Sequence, residues 1–359
     1  MNTLQTKVWT FTQDKLRNFV LRYTKAGRAK ILAPFLTRCL HNDKRLNMKK
    51  VPSFIILLIT FFTAGYGQDF RNQPRKLTPA RGHYKQLEAF STKPKSSTEE
   101  IDKQKFITDQ ETINRRMSLK PIYLTNIAVD DFIIPDVPAN SSEQTRAEIN
   151  YLLALQNSRT EEEVRASIYM ADIYYNLRVK PSDSTYSRYR KNLFHIGSSI
   201  GSWFNPENLP LTANLVASVW QDASYFIWSL KFKYARIRPV FIDSDLKNLQ
   251  DTDWAAYPSG HAANSYVNAY LFQEFAPEFT DVFIKDAYDM AHSREILGVH
   301  YPSDSESARV FARQFVNMLL KDDKFMKDFE LAKKEWSEKA METFVKPVSK
   351  KDKSSRIKP

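Results

Sequence analysis

The sequence predicts an all-α protein, a compact helical bundle, and three observations carry that reading. From Ser141 onward apolar residues recur at three- and four-residue spacing. Nothing alternates with period two for long enough to specify a strand. Glycine is also scarce: of 359 residues only Gly197, Gly201, Gly260 and Gly298 follow Gly82.

The chain opens with an unusual double start. Met48-Lys49-Lys50 precedes an uncharged apolar run, 51–64, and then Gly65-Tyr66-Gly67-Gln68. A short positive stretch, an apolar core and small residues at the cleavage positions form the pattern of a secretory signal peptide. The run is too short for a comfortable membrane span. Residues 1–47 therefore read as an upstream extension absent from the mature protein, and 48–67 as the signal. The one cysteine, Cys39, precedes the signal, so the mature chain is expected to hold no disulfide, and its localisation to be periplasmic or secreted.

Residues 68–130 read as a polar N-terminal extension with little core, helical around 99–117. The stretch 131–138 (Asp-Phe-Ile-Ile-Pro-Asp-Val-Pro) is apolar and punctuated by proline, hence extended. Helices follow. Ile149, Leu152, Leu153 and Gln156 mark one face of the first. Thr160 with Glu163 forms a capping box for the second, whose stripe is Val164, Ile168, Ala171 and Tyr175. A third repeats Val216, Val219, Trp220, Ala223, Ile227 and Leu230 from about Thr212. Later helices are expected at 262–275, 279–297, 303–320 and 324–343. The helical domain spans 131–345, and 346–359 is a basic tail.

Charge narrows the partners. The formal charge is +12, but residues 1–50 hold 12 Lys/Arg against 2 Asp/Glu, leaving only +2 on 68–359. No basic groove remains to track a nucleic acid. The longest helix carries Asn214, Gln221, Asp222 and Lys231, so it belongs to a soluble core, and the mature chain is expected to lack an integral membrane domain. Oligomeric state stays open, a homo-oligomer among the options.

Three blocks carry the chemistry: Lys231-x6-Arg238-Pro239, then Pro258-Ser259-Gly260-His261, then Ser293-Arg294-x5-His300-x3-Asp304. Arginine forks and a lysine suit the oxygens of a tetrahedral oxyanion, and N–H groups at a helix N-terminus add donors. Lys231 and Arg238 are seven apart and can share one helix face before Pro239. Arg294 falls on the apolar stripe Phe283, Ala287, Met290, Leu297, so an anion must meet it, either a buried carboxylate or a bound phosphate. Asp304, placed in the first turn of a helix starting near Ser303, can fix the tautomer of His300 and free its other nitrogen to attack. His261 is left to protonate a leaving group. Glycine at 260 and 298 suits a cradle, though helix termination explains Gly298 equally well. His300 and Asp304 could suit a metal on a helix, but no second ligand cluster accompanies them, and a metal site is not expected. His195 and His292 read as ordinary. Tyr257 and Trp254 are candidates for the substrate mouth, or for core.

At these three blocks the chain resembles the type 2 phosphatidic acid phosphatase superfamily, and within it the soluble bacterial class A nonspecific acid phosphatases, over about 130–340. The resemblance implies the helical bundle of that phosphatase and haloperoxidase kind, with the 131–138 stretch similar to a proline-rich strap. It implies phosphate binding by Lys231, Arg238, Arg294, Ser259 and Gly260, and catalysis by His300 (nucleophile forming a phosphohistidine), Asp304 (its orienter) and His261 (acid, then base). It implies small phosphorylated substrates and neither metal nor cofactor. The sequence departs from the class A pattern at Gly298-Val299-His300-Tyr301-Pro302-Ser303-Asp304, where the family shows Gly-Tyr-His-Trp-Gln-Ser-Asp, and at Ala262, where it shows threonine. Two other functions share the signature: a vanadium-dependent haloperoxidase, with vanadate as cofactor at the nucleophile, and a lipid phosphate or polyprenyl pyrophosphate phosphatase.

Overall fold

The computed structural model describes residues 75–345, apart from 81 and 97; the expected leader, signal peptide and basic tail lie outside the described residues. Every regular element among them is helical: α1 (Tyr84–Leu87), α2 (Gln110–Met117), α3 (Glu143–Ser158), α4 (Glu161–Ala171), α5 (Tyr186–Asn192), α6 (Pro210–Tyr234), α7 (Gly260–Phe275), α8 (Thr280–Ile296), α9 (Pro302–Leu319) and α10 (Asp323–Val345). Short 3₁₀ turns link several of them. The all-α expectation is met, and none of these helices is long and apolar enough to cross a membrane.

Helix α7 is the centre. It is buried on nearly every side, and Ala262, Ala263, Val267, Ala269, Tyr270, Leu271 and Phe272 are wholly so. A helix with apolar residues on all sides has to be enclosed by others. Helices α8 and α9 pack along it, α6 lies against a further side, and α10 packs on α6. The space between is filled by rings. Phe132, Phe226 and Phe311 meet at centroid distances of 4.8 and 5.0 Å, and Phe204 packs on Phe272 and Trp336 at 5.2 and 5.1 Å.

Capping chemistry sets the helix starts. Ser142 Oγ accepts the Thr145 N–H at 3.1 Å, and Thr160 and Glu163 form the reciprocal box expected for α4. Proline opens α6 and α9, where its missing N–H costs nothing. The expected stripe of α4 is only partly right. Its buried face is Ser167 and Ala171, whereas Ile168 is exposed and Tyr175 lies beyond the helix end. Helix α5 was not anticipated.

One expectation near the site is overturned. Lys231 and Arg238 do not share a helix face, because α6 ends at Tyr234 and Ala235 takes a left-handed conformation (φ 49°). Arg238 is extended (φ −74°, ψ 157°), as a residue before proline prefers. The two cations meet through this turn.

The described part of the N-terminal stretch is tied down. Arg75 pairs with Glu274 at 3.3 Å, and Thr78 and Tyr270 share a hydroxyl hydrogen bond of 2.7 Å. Helicity around 99–117 resolves into a 3₁₀ turn (Glu100–Lys103) and α2, capped by Asp109. Of the stretch 131–138, expected to be extended, Asp131 ends a 3₁₀ turn and 132–138 carry no regular structure, with Phe132 and Ile134 buried in the core.

The firmest tie is Asp222, a fully buried carboxylate on α6. It accepts the backbone N–H groups of Ile122, Tyr123 and Leu124 at 2.5, 2.9 and 2.9 Å. Replacing it by alanine would strand three donors, two of them buried and one partly so. Asp222→Ala is expected to lower unfolding free energy by about 3 kcal/mol or more, since each stranded donor costs about 1–3 kcal/mol. Denaturant unfolding measures this; a loss within experimental error would mean that water satisfies those groups.

Candidate active site

The three sequence blocks converge at one end of the bundle. Lys231 comes from the last turn of α6, Arg238 from the turn after it, and Ser259, Gly260 and His261 from the start of α7. Arg294 comes from the last turn of α8, His300 from the α8–α9 turn, and Asp304 from the first turn of α9. The α8–α9 turn is a helix stop. Gly298 (φ 73°) follows the helix, with its N–H on Glu295 O at 2.9 Å and the Val299 N–H on Arg294 O at 3.1 Å. Of the two readings of Gly298, helix termination is therefore the one realised. Gly260 has an ordinary helical backbone, and a Cβ there would lie 3.9 Å from Lys231 Cε. The Ser259 N–H donates to Asp304 O at 3.0 Å, joining the second block to the third.

The histidine pair is resolved by its hydrogen bonds. His300 Nδ1 lies 2.9 Å from Asp304 Oδ2, and its Nε2 lies 3.0 Å from Arg238 Nη1. A guanidinium only donates, so Nε2 carries the lone pair and Nδ1 the proton. Burial, together with the Arg238 charge, holds the ring well below the usual histidine range. Burial would raise Asp304, but Arg236 and the His300 bond outweigh it and keep the carboxyl well below its ordinary range. His261, half-buried, sets Nε2 3.0 Å from the Ala171 carbonyl, which leaves Nδ1 to exchange a proton. Burial and Arg294 push its pKa down to about 3.

The cations are buried and short of anions. Lys231 Nζ donates to the carbonyls of Ala255 and Ala256 at 2.7 and 3.1 Å. Arg238 donates to the carbonyls of Trp254 (2.9 Å) and Val299 (2.5 Å). Arg294, 2% exposed, bonds Gln250, while its Nε and Nη1 have no hydrogen-bond partner. Burial lowers all three: Lys231 well below its usual value, Arg238 to about 10 and Arg294 to about 9. Among the described residues no carboxylate pairs with Arg294. Ser259 is fully buried and caps α7 through the Ala262 N–H, and the first N–H groups of that helix have no intrahelical partner by position. Among the described residues no group of three or more His, Cys, Asp or Glu is gathered as metal ligands.

Comparison with known proteins bears on this arrangement. No family model matches the chain. Over 137 residues it is 34% identical to a non-specific acid phosphatase of Providencia stuartii, covering 37% of this chain and 54% of that protein. An acid phosphatase of Zymomonas mobilis is 29% identical over 133 residues, 35% of this chain and 50% of that protein. Over this stretch the chain is similar to acid phosphatases. This agrees with the resemblance to bacterial nonspecific acid phosphatases read from the three blocks. The chain spans about half the length of these relatives. Among solved structures, a bacterial vanadium-dependent chloroperoxidase aligns with a TM-score of 0.41 at 12% identity, over 59% of this chain and 52% of that one.

Two site residues escaped the sequence reading. Arg236 sits inside the first block, where only Lys231 and Arg238 drew attention. Its Nη1 donates to Asp304 Oδ1 at 2.7 Å and to Ser303 Oγ at 2.8 Å, and its Nη2 to Glu148 Oε2 at 3.1 Å. Glu148 is fully buried on α3. The signal was its position four before Leu152, on the face that packs inward. His292, read as ordinary, does have a partner: its Nδ1 lies 3.1 Å from Glu295. Tyr257 is core, wholly buried, with its hydroxyl donating to the Pro135 carbonyl, whereas Trp254 is half-buried against Trp228.

Protonation here is linked to folding. Both histidines titrate near 6.5 when unfolded, but His261 falls to about 3 and His300 well below 6.5 in the fold. Their stabilising contribution is present above about pH 6.5 and is lost as pH falls toward 3, since the unfolded chain binds protons first. Denaturant titrations of the free protein are expected to show stability declining from about pH 7 to about pH 4, and declining less with saturating inorganic phosphate. Arg294→Ala should lose most of the phosphate effect. A flat pH profile, or an undiminished phosphate effect in that variant, would contradict the geometry.

Proposed function

We propose that this chain is a phosphatase that hydrolyses phosphate monoesters of small soluble molecules through a phosphohistidine on His300, without a metal. It acts in the periplasm or outside the cell, as the leader pattern at 48–67 implies. The observation that carries the reading is Arg294, a buried guanidinium with two unpaired nitrogens in the field of Lys231 and of Arg238, the arginine that bonds His300 Nε2. Buried charge of this kind is stabilised by a bound anion. The likeness to acid phosphatases supports a phosphoryl group as that anion.

The steps follow from the same groups. Lys231, Arg238 and Arg294 take the nonbridging oxygens, with the Ser259 hydroxyl and the first N–H groups of α7 as further donors. Arg238 Nη1, on His300 Nε2 in the free protein, shifts to a phosphate oxygen and releases the lone pair. Nε2 attacks phosphorus in line; the N–P bond forms as the P–O bond to the leaving group breaks. His261 gives that oxygen a proton. Burial and the neighbouring cations hold the free ring deprotonated, and the bound dianion offsets the cationic part, so substrate binding itself favours the acid form. Water then loses a proton to His261, attacks phosphorus and breaks the N–P bond, releasing orthophosphate. Throughout, the cations meet charge spread over equatorial oxygens in the transition state.

The two histidines are separable in kinetics on the exported protein, whose N-terminus this reading puts near Gln68. His300→Ala is expected to abolish turnover. His261→Ala should lose about 10²–10⁴-fold on an alkyl phosphate, and less on a nitrophenyl phosphate, whose leaving group needs little protonation. Wild-type activity should survive a chelator. Turnover retained by His300→Ala, or strict metal dependence, would sink the reading.

A further inference from the structure

Glu148 takes no part in the chemistry above, yet it is a carboxylate with no exposed surface, beside a guanidinium that is 2% exposed. Buried ion pairs contribute little net stability, because desolvation consumes most of the attraction, and apolar replacements often do as well. Stability alone is therefore a poor account of the pair. Its geometry suggests another.

Asp304 has both oxygens committed. Oδ2 accepts from His300 Nδ1 at 2.9 Å and from the Tyr301 N–H at 3.1 Å, and Oδ1 accepts from Arg236 at 2.7 Å. The plane of that carboxylate, and so the aim of His300, depends on where Arg236 sits. Arg236 is itself held on three sides: by the Ser303 hydroxyl, by Glu148, and by the Tyr301 ring, 3.6 Å from ring centre to guanidinium carbon. Glu148 then closes the circuit. It accepts the Ser303 N–H at 2.7 Å and the Ser303 hydroxyl at 2.9 Å, gripping the first turn of α9, the turn that carries Asp304. The hydroxyl donates to Glu148 and accepts from Arg236, so donors and acceptors balance.

Charge points the same way. Four buried cations, Lys231, Arg236, Arg238 and Arg294, share the site with two buried carboxylates, and Arg236 alone is ion-paired, to Glu148 and to Asp304. With Glu148 matched to Arg236, the remaining three cations and Asp304 leave two positive charges, enough for a phosphate dianion. Without Glu148, Asp304 would become the sole carboxylate on Arg236 and would be drawn from His300.

We propose that Glu148 is a positioning residue: through Arg236 it fixes the Asp304 carboxylate so that His300 keeps its proton on Nδ1 and its lone pair on Nε2. The kinetic part of this inference rests on the phosphatase reading.

The test compares wild type, Glu148→Gln, Arg236→Lys and the double variant by steady-state kinetics on a nitrophenyl phosphate. It also reads the imidazole nitrogen NMR shifts of His300 in histidine-labelled free protein. Glu148→Gln is expected to lose about 10–100-fold in kcat, the range for groups that orient a catalytic histidine from behind, with KM changed little. His300 should then show a mixture of tautomers where the wild type shows one. In the Arg236→Lys background the same change should cost much less, because the effect runs through Arg236. Wild-type kcat and a single His300 tautomer in folded Glu148→Gln would overturn the proposal. If Glu148→Gln does not fold, Arg236→Lys decides: it should show the same loss in kcat and the same tautomer mixture, and wild-type behaviour would overturn the proposal. A wild type that hydrolyses no phosphomonoester would defeat the phosphatase reading alone, since the nitrogen shifts still judge Glu148.

Discussion

Three buried cations gather at the histidine pair, and among the described residues none of the three has a carboxylate hydrogen-bonded to it. A buried cation without a counter-ion is costly even when hydrogen-bonded, so the protein must solvate these charges by other means or leave them to a ligand. It does both. Lys231 and Arg238 are solvated by carbonyl oxygens of the loops that precede α7 and α9. Arg294 is left with two nitrogens unpaired. Dipoles soften the charge without cancelling it, and the uncancelled part is what an anion would meet.

The rest of the fold supplies the rigidity this arrangement needs. Carbonyls can solvate a buried lysine only if their loop cannot turn away, and the cations themselves pin it: Lys231 and Arg238 hold the 254–256 segment from two directions. Helix α7 gives these loops an immobile base because it is packed on nearly every side. Behind His300 a second layer of charge, Asp304 on Arg236 on Glu148, is closed by ion pairs and sets two carboxylates on one guanidinium. On the proposed mechanism the site thus divides into an ion-paired half that aims the nucleophile and an unpaired half that attracts its target.

The legible parts of the sequence were those with local causes. Thr160 and Glu163 announce a capping box three residues apart, and Pro302 announces the start of α9, so Asp304 could be placed in a first turn beforehand. The three blocks held Arg238 and Asp304, the residues now found on the two ring nitrogens of His300. Misreadings arose where tertiary contacts decide. Lys231 and Arg238 have helical spacing, but Pro239 forces Arg238 out of the helix and Ala235 turns the chain, so their proximity comes from a turn. Ile168 looked like core and Ser167 did not, yet the helices that pack on α4 select the serine side. Glu148 lies 155 residues from Ser303, and no local pattern links two such positions.

The central claim is that uncancelled positive charge aims a phosphoryl group at His300 Nε2. It is tested most directly by rapid mixing of the wild type with a phosphomonoester, quenching in alkali to preserve phosphohistidine, and locating the phosphate by mass spectrometry of the fragments. The account predicts a phosphate on His300, formed within one turnover and absent from His261. Phosphate on His261, or turnover with no covalent intermediate on a timescale faster than product release, would contradict it.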